Sequence, residues 1–402
     1  MSTIYAAIEI GTSRTVLAVG SGEAGERLNV TCHAHIPSAG VVKSQIINVA
    51  QAAQSVKAVI RSARDSQHAK GTNLSIVNAF LVVSGQHVVC EPFQSVVSIA
   101  HGKVENDDIE QVSRKARTMA LGRDRELVDV FEQTYCVDEL AGIASPLGMS
   151  GSLLKLNTLQ LHAPADRIND AYTAAGEAKL ALREPLFAAT CAAEAVLDEN
   201  EKNLGSLVLD LGGGSTGYAV YSGGVVAAAG AIGIGGDHIT NDIQTAFLCT
   251  RGQAEALKTT EASAILGRTG LGARITLDGT APGGEARTIS RKALDTVTNA
   301  RCRELATIIR ATLEDLGLLH RLGTGIVLTG GGAYLEGMAT LFEREFGAAV
   351  RIGNPVNVNG LEDAEEPASF AAIAGALICA HRAYEEKSLW QSIKSTVKGF
   401  MK

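Results

Sequence analysis

"LVLDLGGGSTGYAVYSGGV", residues 207–225, governs how the rest of this 402-residue chain is read. An apolar run ends at Asp210 and Leu211. Gly212, Gly213 and Gly214 follow, then Ser215 and Thr216, and a second strand-forming run begins at once. Strand, tight turn, strand is the pattern of a β-hairpin. Three glycines without Cβ atoms let backbone N–H groups approach an anion closely, and the two hydroxyls add donors. Asp210, at the strand end, supplies the oxygen that a hard cation such as Mg2+ prefers, reached through water. One such loop is equally well a plain turn, but the pattern recurs. "AAIEIGTSRTVLAVGSGEA" (6–24) has the same order: apolar strand, Glu9, apolar residue, Gly11 turn with Thr12 and Ser13, second strand. The copies begin about 200 residues apart, and such a repeat implies two related halves facing each other across a cleft.

Composition sets the outer limits. The chain is 46% hydrophobic and only 4% aromatic, an Ala/Val/Ile/Leu-rich balance common in α/β proteins, and its 43 glycines against 8 prolines suggest tight loops. A net charge of -7 without a long basic block argues against nucleic acid as a partner. Seven scattered cysteines without a C-x-x-C pair fit reduced thiols in a cytoplasmic protein. No signal peptide is read at the N-terminus, and no window is apolar for long enough to span a membrane.

Along the first half, strands are expected at 4–10, 15–20, 28–36 and 75–85, with a helix at 48–67 capped by Asn48. The stretch from about Ser84 to Leu161 changes character. It places an acidic-capped helix, "NDDIEQVSRKARTMAL" (106–121), among strand-like runs near 86–99, 128–137 and 152–162, and so reads as an inserted α+β module. Helices are expected at 166–180 and 186–200. A third glycine cluster, "GIVLTGGGAYLEGM" (325–338), reads as a strand delivering Gly330, Gly331 and Gly332 to a helix, a common setting for an anion or nucleobase.

The C-terminal "SLWQSIKSTVKGFMK" (388–402) has its own pattern. On a helix, Leu389, Trp390, Ile393, Val397, Phe400 and Met401 fall within about 120° of arc, with Lys394 and Lys398 among the lysines beside that stripe. Aromatic rings with flanking lysines suit an anionic membrane surface. A last helix packed on the protein body is the alternative.

The three glycine loops together resemble those of the actin/Hsp70/sugar-kinase superfamily. The segments "GVVKSQIINV", "VVSGQHV", "LGMSGSLL", "GGDHITNDI", "AEALK", "GIVLTGGGAYLEGMATL" and "VRIGNP" are similar, in order and over nearly the whole chain, to the FtsA family of bacterial cell-division proteins. The resemblance implies an α/β fold of duplicated, actin-like, ribonuclease-H-type domains around a nucleotide cleft, with an inserted 1C-type subdomain at 84–161. It implies domain 1A at 1–83 and 162–203, to which 360–386 is a candidate return segment. Domain 2A follows at 204–236 and 306–359, 2B at 237–305, and the membrane-targeting helix at 387–402.

Carried over by position, ATP (or ADP) with Mg2+ would meet Gly11, Thr12, Ser13 and Arg14 in the first phosphate loop. Asp210 and Gly212, Gly213, Gly214, Ser215 and Thr216 form the second. Gly235, Gly236 and Asp237 would lie near the ribose and phosphates, Glu255 and Lys258 near adenine and ribose, and Gly330, Gly331, Gly332 and Ala333 in the adenosine loop. Glu255 and Lys258 are also an ordinary i, i+3 pair on a helix. Glu9 and Asp210 are the candidates for Mg2+ through water. Glu194 is the candidate to position an attacking water, or else a satisfied helix carboxylate, so ATP binding with slow or negligible turnover is expected. The implied partners are the C-terminal peptide of the tubulin-like FtsZ, met by Arg287 and Arg291, a second copy of the chain in an actin-like filament, the anionic membrane and later division proteins. The implied location is the cytoplasmic face of the cell membrane at the division site. A PilM-like pilus-assembly ATP-binding protein and a small-molecule kinase are the competing readings.

Overall fold

A computed structural model describes residues 3–23, 25–69, 75–118, 122, 124–267, 272–279 and 285–384. The first sheet is built by β1 (Thr3–Ile10), β2 (Arg14–Gly22) and β3 (Asn29–Pro37), an antiparallel meander. After a short hairpin of β4 (Val41–Val42) and β5 (Gln45–Ile46), helix α1 (Val49–Ala69) starts with the Asn48 side chain accepting from Gln51 N at 3.1 Å. Strand β6 (Asn78–Val83) then returns parallel to β1.

The inserted module follows as β7 (Val89–Ser98), α2 (Asn106–Arg117), β8 (Arg125–Val137), β9 (Leu140–Ile143) and β10 (Leu153–Pro164). Its strands form one antiparallel sheet of order β7-β10-β8-β9. Helix α2 lies across it, tied by Ser95 Oγ to Val112 O at 2.9 Å and Gln160 Nε2 to Ala116 O at 2.9 Å. Helix α3 (Ala165–Glu177) leads to β11 (Ala181–Phe187), parallel to β6, which completes a five-stranded sheet of order β11-β6-β1-β2-β3.

Here the structure corrects the expected helix at 186–200. Residues 181–187 are an edge strand, where Pro185 is tolerated because its missing N–H falls at a register shift. Helices α4 (Ala188–Val196) and α5 (Glu199–Leu204) follow as separate elements. The break is a capping box: the Asp198 side chain accepts from Glu201 N at 2.8 Å, and Glu201 Oε2 accepts from Asp198 N at 3.0 Å.

The second sheet repeats the first. β12 (Ser206–Leu211), β13 (Thr216–Ser222) and β14 (Val225–Ile232) form the meander. Helices α6 (Gly236–Phe247) and α7 (Arg251–Thr260), the hairpin of β15 (Arg274–Leu277) and β16 (Arg287–Ser290), and the long α8 (Arg291–Asp315) intervene. β17 (Gly325–Thr329) then pairs parallel with β12, and after α9 (Met338–Phe346), β18 (Val350–Ile352) pairs parallel with β17. The orders β3-β2-β1-β6-β11 and β14-β13-β12-β17-β18 therefore correspond strand for strand in position and direction.

Both halves share one core. Val16 and Leu81 from the first sheet, every residue of α4 except Thr190 and Glu194, Val208, Ala219 and Val327 from the second, and the helix at 371–384 pack in a single apolar cluster. Small residues allow the close crossing: a Cβ on Gly375 would lie 1.6 Å from Cys191 O, and one on Gly217 would meet Ala189 Cβ at 2.9 Å. The inserted module also leans on the second half, Gln133 Nε2 donating to Val226 O at 3.0 Å.

Behind the shared core, Glu194 of α4 accepts from Tyr221 OH at 2.8 Å, from Lys202 Nζ at 3.0 Å and from the Arg382 guanidinium. The Glu194 and Lys202 side chains are only 12% and 5% exposed. Burial alone would raise the Glu194 pKa, but the charges of Lys202 and Arg382 and the bonds from Lys202 and Tyr221 outweigh it and hold the carboxyl below its ordinary value. Stability from this group is therefore present above the ordinary carboxylate range and lost as pH falls through the depressed pKa. Glu194→Gln is expected to lower stability by about 2 kcal/mol at neutral pH, because it leaves the buried Lys202 ammonium with only the exposed Glu199 carboxylate, at 3.2 Å, as its anionic partner. Urea denaturation across pH checks this, and the gap from wild type should narrow in acid.

Candidate functional site

The duplicated sheets bring Glu9 and Asp210 to equivalent rungs, each the penultimate residue of its central strand: Glu9 opposite Val16 and Asp210 opposite Gly217. Both line a cavity of about 300 Å³ between the halves. Enclosure pushes Glu9 up to about 7, helped by the Asp210 charge, while Arg14 and a bond from Ser84 act against it. Burial likewise pushes Asp210 up to about 6, with Arg14 opposing. Two carboxylates in this state resist full ionisation together, and a cation between them would relieve the strain.

The two glycine turns touch. A Cβ on Gly213 would lie 2.9 Å from Ser13 Cβ, and one on Gly214 would lie 2.3 Å from Thr12 Oγ1. Ser44 joins them, its N–H donating to Thr12 Oγ1 at 2.7 Å and its Oγ paired with Ser215 Oγ at 3.0 Å. The start of α6 closes on the second turn: Gly236 N donates to Gly212 O at 3.0 Å and Asp237 N to Gly213 O at 2.8 Å. The third glycine cluster presses on the same place. Gly330 has φ +77°, open to glycine, and a Cβ there would meet Asp210 Oδ1 at 2.6 Å. The helix expected directly after these glycines is instead a 3-10 turn, Gly331–Tyr334, and α9 begins only at Met338.

Glu255 and Lys258 of α7 also reach the cavity. They pair at 2.8 Å, and Thr240 Oγ1 donates to Glu255 Oε2 at 2.6 Å. Burial would raise the Glu255 pKa, but the bonds from Lys258 and Thr240, with the charges of Lys258 and Arg251, hold it below the ordinary value. The Lys258 side chain is only 14% exposed while that of Glu255 is 45% exposed, so the ammonium is enclosed and the carboxylate stays partly open to solvent. Ile239, Leu305, Leu335 and Met338 give this part of the cavity an apolar wall, and the Cys302 thiol beside them is pushed up to about 12 by burial.

Of the residues carried over as nucleotide contacts, all line the cavity except Asp237 and Ala333. Asp237 points to Arg251, at 2.9 Å, and Ala333 is buried with its N–H on Gly330 O. Glu194 is not among the lining residues either. The three partners described above take up its carboxylate, which corrects its candidacy as the water-positioning group and leaves the satisfied helix carboxylate.

Sequence reasoning missed Ser44, Ser84, Arg301, Tyr334, Glu366 and Ser369 in the lining. Ser44 and Ser84 sit inside "GVVKSQIINV" and "VVSGQHV", segments singled out for their resemblance but given no role. Glu366 and Ser369 reach the site because Arg14 Nη2 donates to Ser369 O at 3.0 Å and its guanidinium lies 5.6 Å from the centre of the Phe370 ring.

The two candidate partner arginines lie elsewhere. Arg287 donates to the carbonyls of Phe247 and Leu248, and Arg291 pairs with Glu261 and donates to its carbonyl. Both are engaged within the chain rather than free on a helix face. Leu389, Trp390, Ile393, Lys394, Val397, Lys398, Phe400 and Met401 lie outside the described residues. Among the described residues, no helix is long and apolar enough to cross a membrane.

Residues 207–375 match the family model for cell division protein FtsA, and residues 85–161 match the SHS2 domain inserted in FtsA. The chain is 32% identical over 358 residues to cell division protein FtsA of Pseudomonas aeruginosa, covering 89% of this chain and 84% of that one. It is 30% identical over 368 residues to cell division protein FtsA of Escherichia coli K12, covering 90% and 86%. Among solved structures, the PilM-PilN type IV pilus biogenesis complex aligns with a TM-score of 0.64 at 19% identity, over 93% of this chain and 97% of that one. MreB 5 of Spiroplasma citri bound to AMPPNP aligns at 0.51 and 13% identity, over 98% of each. These two structures speak for the fold alone. With its duplicated actin-like sheets, its inserted module and relatives matched along most of their length, the chain belongs to the FtsA family of bacterial cell-division proteins.

Proposed function

We propose that this chain binds ATP (or ADP) with Mg2+ in the cavity between its halves and uses that state to tether FtsZ filaments to the membrane during division. The observation that carries the nucleotide reading is the convergence of three glycine turns and two raised-pKa carboxylates on one cavity. The residues fit the ligand. Turns two and three and the start of α6 have no room for a Cβ at Gly213, Gly214, Gly235 or Gly330, so backbone alone faces the cavity there, as phosphate binding requires. Glu9 and Asp210 are oxygen donors of the kind a hard cation takes, through water. The Glu255–Lys258 pair and the apolar wall suit the nucleoside. Bound Mg2+ would neutralise phosphate charge, and slow or negligible turnover is the reading we favour, since Glu194 is held elsewhere.

The tether is the segment 387–402, whose aromatic and lysine pattern fits an anionic leaflet. The helix at 371–384, which precedes that segment in the chain, is held on α4 at Gly375 and Arg382. In this reading the module at 84–161 serves self-association, and the region 237–305 takes the C-terminal peptide of FtsZ. Arg287 and Arg291 could receive its carboxylates only by sharing guanidinium donors now given to Phe247, Leu248 and Glu261. The domain boundaries read from the sequence remain part of this proposal, and the presence of Leu361, Phe370 and Ala380 in the shared core supports a return of the chain to the first half after residue 360. The pilus-assembly alternative rests on fold likeness alone and leaves the tail without a role.

Gly214→Val should reduce ATP affinity at least tenfold by forcing the two turns apart, as read by titration with a fluorescent nucleotide. Unchanged affinity would contradict the clamp. Removal of 388–402 should abolish sedimentation with anionic liposomes while leaving nucleotide affinity intact; retained sedimentation would remove the tail from the tether. Co-sedimentation of FtsZ with those liposomes should require the full-length chain, and FtsZ pelleting with the truncated chain would contradict the adaptor role.

A further inference from the structure

The hairpin of β4 and β5 belongs to neither five-stranded sheet. Val41 pairs with Ile46 and Val42 with Gln45, leaving a two-residue loop, Lys43-Ser44. Both loop residues have positive φ, +49° and +57°. Such a loop is normally built from Asn and Gly, and other side chains held in the left-handed region are strained. The hairpin stem is well fixed, with Ile47 N and Asn48 N donating to Gly40 O at 2.8 and 3.1 Å. A two-stranded hairpin this short does not hold a strained tip by itself.

The tip is held by the phosphate turns. Ser44 N donates to Thr12 Oγ1 of the first turn, and Ser44 Oγ pairs with Ser215 Oγ of the second. The tip also lies over Gly214, whose Cβ would meet Lys43 Cα at 2.9 Å and Ser44 N at 3.0 Å. On its other side, a Cβ on Gly85 would meet Ser44 Cβ at 2.8 Å. Ser44 is thus wedged among both turns and the segment leading into the inserted module, and it lines the cavity.

We propose that Ser44 is the specificity-determining residue for the terminal phosphate, so that this site distinguishes a nucleoside triphosphate from a diphosphate. The inference rests on the nucleotide reading above. The backbone N–H and hydroxyl of Ser44 are donors presented where the two turns meet, at the wall of the cavity. A phosphate placed there competes with Thr12 and Ser215 for them, and an anion is the better acceptor. A diphosphate that stops short leaves the present bonds in place. Positive φ at Ser44 serves this arrangement by turning both its N–H and its Oγ towards the turns.

The test is competition of AMPPNP and of ADP, each with Mg2+, against a fluorescent nucleotide on the full chain. Wild type should favour AMPPNP. Ser44→Ala, which removes the hydroxyl, should lose about tenfold in AMPPNP affinity and less than about twofold in ADP affinity, the size expected for one hydrogen bond to a charged group. Ser44→Gly removes the hydroxyl and suits the left-handed backbone, so it should show the same selective loss with undiminished thermal stability. Equal losses for both nucleotides, or an unchanged ratio in both variants, would overturn the assignment and leave the nucleotide site standing. Failure of wild type to bind either nucleotide would overturn the site and the assignment together.

Discussion

The second glycine turn lies against the first only because Gly213 and Gly214 carry no side chain. At those positions a single added carbon would meet Ser13 or Thr12 well inside contact distance. This steric constraint fixes how close the halves come, and much else follows from it. Glu9 and Asp210 are brought near enough for the Asp210 charge to raise the Glu9 pKa. The hairpin tip reaches both turns at once, and the start of α6 can close on Gly212 and Gly213 through backbone bonds. Gly217 against Ala189 and Gly375 against Cys191 repeat the same device in the shared core below the cavity.

Duplication explains why these contacts form a site rather than a seam. Each half delivers a strand, an acid at the penultimate rung and a turn, so two copies face to face place two acids and two turns on one space. The first half adds the hairpin and the inserted module, and the second adds α6, α7 and the third glycine turn. The glycine turns and the α6–α7 wall of the cavity thus reflect a duplicated pattern broken by insertions. Glu194, by contrast, serves the back of the core, where it ties α4, α5, β13 and the helix at 371–384 into one charged network.

Much of this was legible in the sequence because it depends on local residue order. Repeated strand-acid-glycine patterns reveal duplicated hairpins without any knowledge of packing, and the Asn48 cap marks the start of α1. What was not legible depends on tertiary context. Residues 186 and 187 read as the start of a helix, yet 181–187 become a strand because β6 offers an open edge. The break at Asp198 was readable in principle from Asp198 and Glu201, three residues apart. Glu194 precedes the second turn in the chain but faces away from it, a matter of helix rotation that chain order does not specify. Ser44, Glu366 and Ser369 come from loops whose place in the cavity is set by contacts with Thr12 and Arg14, residues distant in sequence or from the other wall.

Calorimetric titration of the full chain with Mg-ATP tests most directly whether the two touching turns act as one nucleotide clamp. Saturable binding of a single equivalent per chain, weakened when Mg2+ is withdrawn, is the expected result. Absence of saturable binding, or binding indifferent to Mg2+, would contradict it.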